Sequence, residues 1–157
     1  MSMRIKNILF PTDFSDVALG ALQHAKELAE AFDARLFCLH VIDEAYLYWS
    51  SVGPESLPLG PPPEELNLLV EARMDRFAKE HLSGIEHPVE TKIATGRPFA
   101  EIIRYARENE IDLIVMATHG RGALAHVLLG STTEKVVRKA PCAVLTVRAD
   151  DHEFVMP

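Results

Sequence analysis

The sequence predicts an α/β fold in which a doubly wound, five-stranded parallel sheet lies between two layers of helices. Short apolar runs alternate along the chain with longer segments whose apolar residues recur every three or four positions. The run Arg35 to Ile42 is almost entirely apolar, which is typical of a parallel strand covered on both faces. With 157 residues and 48% hydrophobic content, the chain is predicted to form a single domain over 1–157.

The first strand, helix and second strand are predicted to form a right-handed βαβ unit. Arg4 to Phe10 is the first strand, and Pro11 ends it. Asp13, Ser15 and Asp16 are candidate caps for the helix that follows. One face of that helix is predicted to consist of Ala18, Ala21, Leu22, Ala25, Leu28, Ala29 and Phe32.

Asp43 to Pro63 interrupts this alternation and is predicted to be a proline-rich loop. The segment contains five of the ten prolines together with Tyr46, Tyr48 and Trp49. It is too rich in proline for a helix or a central strand. A lid, a partner-binding loop and an insertion remain open, since long loops are often functional or disordered. Its aromatic rings can pack on the body of the protein or stack on a base.

The later elements follow from the same two kinds of spacing. A helix opens at Pro98, where proline suits the first turn. Its predicted buried face consists of Phe99, Ile102, Ile103 and Ala106. The other predicted elements are a helix over Glu64 to Leu82, a short edge strand over Val89 to Ala94, a fourth strand over Asp112 to Ala117, a last helix over Ser131 to Lys139 and a fifth strand over Ala143 to Val147.

Composition narrows the class of protein. A formal net charge of −7 argues against binding to a nucleic-acid backbone, although a small nucleotide remains possible. The longest apolar runs fall far short of the ~20 residues that span a bilayer, and the run before Pro11 is too short for a signal peptide. Cys38 and Cys142 lie in apolar segments without a C-x-x-C spacing, which predicts two buried free thiols in the reducing cytoplasm.

Met116 to Thr132 places a glycine-containing loop between a strand and a helix. Gly120, Gly122 and Gly130 allow the backbone to approach an anion closely. The N–H groups and the dipole of the helix that follows then favour a phosphate. Two structural alternatives remain: Ser131 to Glu134 is also a capping box, and Gly130 is also an ordinary turn residue.

Gly120, nine further residues and then Gly130-Ser131, preceded by Thr118-His119, resemble the nucleotide-binding signature of the universal stress protein family. The first glycine of that signature is Ala117 here, and its Cβ could crowd the ribose or a phosphate. Pro11 to Ser15 and Glu134 to Cys142 also resemble the family, so the similarity covers about Ile5 to Arg148. The resemblance implies an adenine nucleotide alpha hydrolase-like sheet of order 3-2-1-4-5 and a homodimer through the last strand, Ala143 to Val147.

In such a sheet, ligands bind at the carboxyl ends of the strands where the strand order reverses, which here is between strands one and four. Asp13 could hold the ribose hydroxyls or cap a helix; Val41 could present its backbone to adenine or pack in the core. Arg121 could bind phosphate or remain a solvated loop cation. The predicted nucleotide-binding residues are Pro11, Thr12, Asp13, Ser15, Val41, Met116, Ala117, Gly120, Arg121, Gly122, Gly130, Ser131 and Thr132.

Three classes of function remain open. The first is a regulatory module of the stress response that binds ATP, ADP or AMP, with Mg²⁺ carried by the phosphates. The second is a slow ATPase or a phosphoryl or adenylyl transferase, although no P-loop is present and no catalytic residues are predicted. The third is a partner-binding module without a nucleotide. His119 and His126 lack a third ligand in register, so no metal site is predicted.

Overall fold

The structure, a computed structural model, describes the backbone of residues 4–52, 60–119 and 129–148. Five parallel strands form one sheet in the order β3-β2-β1-β4-β5. This confirms the predicted fold class and strand order. The strands are β1 Asn7–Pro11, β2 Arg35–Asp43, β3 Val89–Gly96, β4 Leu113–Ala117 and β5 Ala143–Val147.

The strands are connected by helices on both sides of the sheet. The helices are α1 Asp16–Phe32, α2 Glu44–Val52, α3 Pro63–Phe77, a π-helical turn Ala78–Leu82, α4 Pro98–Glu108 and α5 Ser131–Lys139. The predicted bounds of α5 and β5 are confirmed, whereas β1 begins later than predicted and includes Pro11, and β3 extends to Gly96. Of the helices in the described ranges, none combines the length and apolar character that crossing a membrane requires.

The predicted loop over 43–63 is wrong for its first part, because Glu44–Val52 forms α2. The prolines of this segment begin only at Pro54, so none of them interrupts the helix. The Asp43 carboxylate accepts a hydrogen bond from the Ala45 N–H at 2.9 Å, which supports the helix start. At the other end, Pro63 opens α3, where a proline has no helical N–H bond to lose. Residues 53–59 lie outside the described chain.

Successive residues of each strand face opposite helical layers, because side chains alternate along a strand. In β1, Ile8 and Phe10 pack in the core that contains α1 and α3, whereas Leu9 packs in the core that contains α4 and α5. On the α1 side the buried helix residues are Ala18, Ala21, Leu22, Ala25 and Ala29. Burial on both faces explains why the strands are almost entirely apolar.

The two cysteines are free thiols on opposite faces of the sheet. Cys38 is buried in β2, and burial raises its pKa to about 12. Cys142 precedes β5 and is only half-buried, so the prediction of two buried thiols is wrong for this residue. Burial also raises the pKa of Cys142. Neither thiol is therefore readily ionised near neutral pH.

Candidate functional site

The sheet opens between β1, its central strand, and the neighbouring β4. β1 and β4 pair through only two residue pairs, Ile8 with Leu113 and Leu9 with Ile114. Beyond them β1 continues beside β2 as far as Pro11, and β4 continues beside β5 as far as Ala117. The strand order reverses at this point, so the gap is the position where a parallel α/β sheet accommodates a ligand.

On the β1 side the gap is followed by residues 12–15, named here the Asp13 loop. The Thr12 N–H continues the bonding to β2 by donating to the Leu39 carbonyl at 2.9 Å. The Asp13 carboxylate accepts hydrogen bonds from the Ser15 N–H, at 2.9 Å, and from the Ser15 hydroxyl. Ser15 in turn accepts the Ala18 N–H at 3.3 Å and caps α1. The alternative interpretation of Asp13 as the helix cap is therefore wrong.

Phe14 and His40 anchor this loop to the sheet. Phe14 has a φ of 63°, which is uncommon for a residue other than glycine. Its ring stacks on His40 at 4.4 Å between centroids and contacts Phe77 of α3 edge-on at 5.5 Å. A ring nitrogen of His40, Nδ1, lies 2.8 Å from the Thr12 carbonyl. The Arg73 guanidinium lies 5.0 Å from the Phe14 ring, so the loop is held from two directions.

On the β4 side, α5 begins without a side-chain cap. The N-cap residue is Gly130, with φ −64° and ψ 156°, and as a glycine it has no side chain with which to cap the first turn. Ser131 is the first helical residue, so the predicted capping box from Ser131 to Glu134 is wrong. Glu134 instead pairs with Arg138 at 2.9 Å. Gly130 therefore supplies no side-chain acceptor to the first-turn N–H groups at the positive end of the helix dipole.

Two threonines fix the position of this helix start. The Gly130 N–H donates to the Thr118 carbonyl at 2.6 Å, and the Thr118 N–H donates to the Val147 carbonyl at 2.9 Å. The buried Thr133 hydroxyl donates to the Ala117 carbonyl at 2.9 Å. These bonds tie α5 to the ends of β4 and β5. Gly120, Arg121 and Gly122, which were predicted to bind phosphate, lie within residues 120–128, outside the described chain.

The remaining predicted residues lie in the strands that flank the gap. Met116 is buried on the α4 side, and Ala117 packs in the core on the α1 side. Ala117 does not have a positive φ, so its methyl group is compatible with the local backbone. Val41 is half-buried and pairs with Ala94 of β3. It lies on β2, two residues beyond Leu39, the partner of Pro11.

The structure therefore brings together two groups of predicted residues. One group lies at the ends of the neighbouring strands β1 and β2 and consists of Pro11 to Ser15 and Val41. The other group lies around the end of β4 and consists of Met116, Ala117 and Gly130 to Thr132. Thr118 was identified only within the family signature, and no role was predicted for Thr133, Phe14 or His40. Besides the signature, the position of Thr118 directly after an apolar strand was a signal for its role. His40 binds across 28 positions of sequence, which no local pattern indicates.

His119, one of the two histidines for which no metal site was predicted, contacts a neighbouring side chain. Nδ1 of His119 lies 2.9 Å from the Thr118 hydroxyl. Within residues 4–52, 60–119 and 129–148 there is no cluster of three or more histidine, cysteine or acidic side chains that could hold a metal ion. His126 lies outside these ranges.

Comparison with known proteins links this architecture to one family. The model of the universal stress protein family matches residues 4–148. The chain is 34% identical over 155 residues to the universal stress protein MJ0531 of Methanocaldococcus jannaschii, covering 94% of this chain and 85% of that protein.

Two solved structures whose sequences are more than 25% identical to this chain share its fold. The protein MJ0577 of the same organism is 33% identical, with a TM-score of 0.80, and the match covers 96% of this chain and 100% of that chain. UspA from Lactobacillus plantarum is 32% identical, with a TM-score of 0.75, over 94% of this chain and 100% of that chain.

More distant structures share the fold alone. One is a universal stress protein in complex with cAMP, 22% identical, with a TM-score of 0.67 over 93% of this chain and 98% of that chain. Another is a universal stress protein of Archaeoglobus fulgidus in complex with dAMP, 19% identical, with a TM-score of 0.63 over 92% of this chain and 98% of that chain.

Proposed function

This chain belongs to the universal stress protein family, and we propose that it is a dimeric regulatory module that binds ATP, or ADP or AMP, between β1 and β4. The observation that carries the proposal is the start of α5, where Gly130 leaves the first-turn N–H groups without a side-chain cap. A phosphate would supply the missing acceptor and would be favoured by the helix dipole. Two universal stress proteins of the same fold were solved with an adenine nucleotide.

The described residues fit such a ligand chemically. Ser131 and Thr132 add hydroxyl donors to the backbone N–H groups at the helix start. Asp13 offers a carboxylate for the ribose hydroxyls on the opposite side of the gap, and Ser15 supports it. Val41 offers backbone groups for the adenine edge. Gly120, Arg121 and Gly122 complete the proposed phosphate contacts, and Mg²⁺ bound to the phosphates would neutralise part of their charge.

Ala117 is the departure from the family signature that could prevent binding. Its side chain packs in the hydrophobic core on the α1 side of the sheet, and its carbonyl accepts a hydrogen bond from the Thr133 hydroxyl. An alanine methyl group packed in the core does not occupy the space above the strand ends. We therefore keep nucleotide binding ahead of the alternative of a partner-binding module that has no nucleotide.

Calorimetric titration with ATP and AMP tests the proposal. We expect saturable binding of one nucleotide per chain below millimolar concentration. A flat titration across that range would refute both the regulatory and the enzymatic hypotheses and would favour the partner-binding module. Identification of a nucleotide that copurifies with the protein would give the same answer independently.

An ATP-consuming enzyme is the second hypothesis, and it needs a proton acceptor near the phosphates. Asp13 and His119 are the candidates, and Nδ1 of His119 already contacts Thr118. We expect a regulator to retain bound ATP over many hours with little release of ADP. Steady ADP release that disappears in both Asp13→Ala and His119→Ala would establish the enzyme instead.

We propose that the dimer forms through β5. In the described sheet β5 pairs with β4 alone, and Leu145 is 37% exposed on it. An open strand edge favours pairing with a second strand. Light scattering at micromolar concentration should give twice the chain mass, and a proline at Thr146 should reduce it by removing a backbone donor. A single-chain mass for the unmodified protein would contradict the dimer.

We also propose that residues 1–157 act as one universal stress protein domain in the cytoplasm. The support is the continuous family match over residues 4–148 and the two free thiols, which suit a reducing compartment. Fractionation of cells that produce the protein, with thiol labelling of each fraction, would test the location. Recovery with oxidised cysteines outside the cytoplasm would contradict it.

A further inference from the structure

The outer surface between α4 and α5 contains a groove of about 550 Å³. None of the nucleotide-binding residues predicted above and described in the structure lines it, so it is separate from the proposed nucleotide site. Its lining residues are Phe99, Ala100, Ile103, Arg104, Arg107, Glu108 and Lys139. The groove therefore combines an apolar floor with a charged rim.

Two lysines of α5 converge on one aromatic ring at this groove. The Lys135 and Lys139 ammonium groups lie 4.9 and 5.5 Å from the centroid of the Phe99 ring. Residues four apart on a helix are neighbours, and like charges at that spacing destabilise it. Within the described chain neither ammonium forms an ion pair. An anion shared by the two groups would relieve their repulsion.

The α4 side of the rim adds two guanidinium groups. Arg104 is bonded to Glu101, whereas Arg107 forms no ion pair with any described residue. Glu108 is the one carboxylate among the described lining residues. The rim therefore has an excess of positive charge, although the whole chain has a formal net charge of −7. Such a local excess attracts an acidic partner.

The floor identifies the chemistry of that partner. Phe99 and Ala100 are partly exposed and form an apolar surface between the cations, beside the buried Ile103. A nucleic-acid backbone would leave this floor unused. An acidic peptide with a bulky apolar side chain uses both parts of the surface. We propose that the α4–α5 groove binds such a segment of a partner protein, with carboxylates at Lys135, Lys139 and Arg107.

Fluorescence anisotropy of a labelled synthetic peptide, Glu-Asp-Phe-Leu-Asp-Glu, titrated with the full chain tests the proposal. We expect saturable one-site binding that weakens as salt rises, because the attraction is largely electrostatic. The variant with Lys135→Gln and Lys139→Gln should bind about tenfold more weakly. The control Lys79→Gln removes one exposed lysine from the α3 side of the sheet and should change affinity by less than about twofold.

Two further peptides separate charge from apolar contact. The amide peptide Gln-Asn-Phe-Leu-Asn-Gln and the peptide Glu-Asp-Ala-Ala-Asp-Glu should each bind about tenfold more weakly than the parent. Unchanged thermal unfolding of the lysine variant shows that weaker binding is not a loss of fold. An unchanged ATP titration shows that the nucleotide site is intact, so the two proposals succeed or fail separately.

Several results would overturn the proposal. They are the absence of saturable peptide binding at millimolar protein, equal affinity for the amide peptide, and equal affinity of the lysine variant. Tighter binding of a thymidine oligonucleotide that the lysine variant loses would assign the groove to nucleic acid. Loss of self-association by the same variant in sedimentation would assign it to a second copy of the chain.

Discussion

The two helices that start beside the β1–β4 gap begin in opposite ways. At α1 the protein completes its own helix start, because Ser15 caps the first turn and Asp13 holds Ser15. At α5 the cap residue is Gly130, which has no side chain with which to cap the first turn. Both starts follow neighbouring strands of one sheet, so burial alone does not explain the difference. The contrast is the one expected if α1 is capped for stability and α5, as we propose, receives an external anion.

The largest expected effect comes from filling the open helix start. Gly130→Val should weaken ATP binding by much more than about tenfold, because a branched side chain would occupy the path of the phosphate. The φ of Gly130 is −64°, which valine readily adopts, so the fold should remain intact. Calorimetric titration measures the affinity, and circular dichroism checks the fold.

Gly20→Ala is the matched control for that substitution. Gly20 lies in α1, and a Cβ there meets no atom within 4 Å. This variant should bind ATP like the unmodified protein and should be somewhat more stable, since alanine is the better helix former. An ATP affinity for Gly130→Val equal to that of Gly20→Ala would remove Gly130 from the phosphate site.

Asp13→Ala tests the role of the Asp13 loop in binding the ribose. Hydrogen bonds to a carboxylate contribute roughly 1.5–3 kcal/mol, so ATP affinity should fall about tenfold or more. The unmodified protein should bind 2′,3′-dideoxy-ATP more weakly than ATP, whereas Asp13→Ala should bind the two nucleotides equally. A variant that still discriminates between them would show that another group contacts the ribose.

A pair of serine variants compares the two helix starts directly. Ser15→Ala removes the α1 cap and should lower the free energy of unfolding by about 1 kcal/mol. Ser131→Ala removes no cap, so it should leave stability nearly unchanged and weaken ATP binding about fivefold through loss of a hydroxyl donor. Urea unfolding and calorimetry measure the two quantities. Equal losses of stability in the two variants would mean that Ser131 also caps its helix.

The smallest expected effect concerns the two thiols, which lie on opposite faces of the sheet. Cys38, in the α1 core, has a pKa raised from 9.0 to about 12, so the folded state keeps a proton that the unfolded state loses. Stability should therefore fall as the pH rises above 9.0, and less steeply in Cys38→Ala than in the unmodified protein.

Alkylation at pH 8 followed by mass spectrometry offers a second measurement of the same contrast. The half-buried Cys142 should be labelled several times faster than the buried Cys38, since the reagent reaches it more readily. Equal labelling rates would mean that the α1 core opens as readily as the edge of the sheet. If the stability of Cys38→Ala fell with pH as steeply as that of the unmodified protein, Cys38 would not be the cause of the loss of stability above pH 9.0.

Local composition was sufficient to predict the main elements of the fold. Short apolar runs predicted most of the strands, and the predicted bounds of α5, Ser131 to Lys139, agree with the structure. The same approach fails for α2, because the five prolines of 43–63 all lie beyond residue 53 and none lies between 44 and 52. A helix of nine residues with few polar positions has no clear periodicity to reveal it.

The gap between β1 and β4 was predictable in position, and the contacts around it were less so in detail. The family resemblance and the reversal of strand order both pointed to the ends of β1 and β4. The cap residue of α5 differed from the prediction by one position, because backbone angles rather than the Ser131 hydroxyl set the helix start. The support of the Asp13 loop by His40 and Phe14 depends on tertiary packing, and sequence spacing does not encode it.

The most direct test follows the backbone amides of Ser131 and Thr132 by ¹H–¹⁵N NMR during titration with ATP and, separately, with adenosine. If these N–H groups bind the phosphates, their signals will shift strongly with ATP and hardly at all with adenosine, while the Ala18 amide, capped by Ser15, will respond little to either. Calorimetric binding of ATP without any shift at Ser131 and Thr132, or equal shifts with adenosine, would contradict the assignment of the open helix start as the phosphate site.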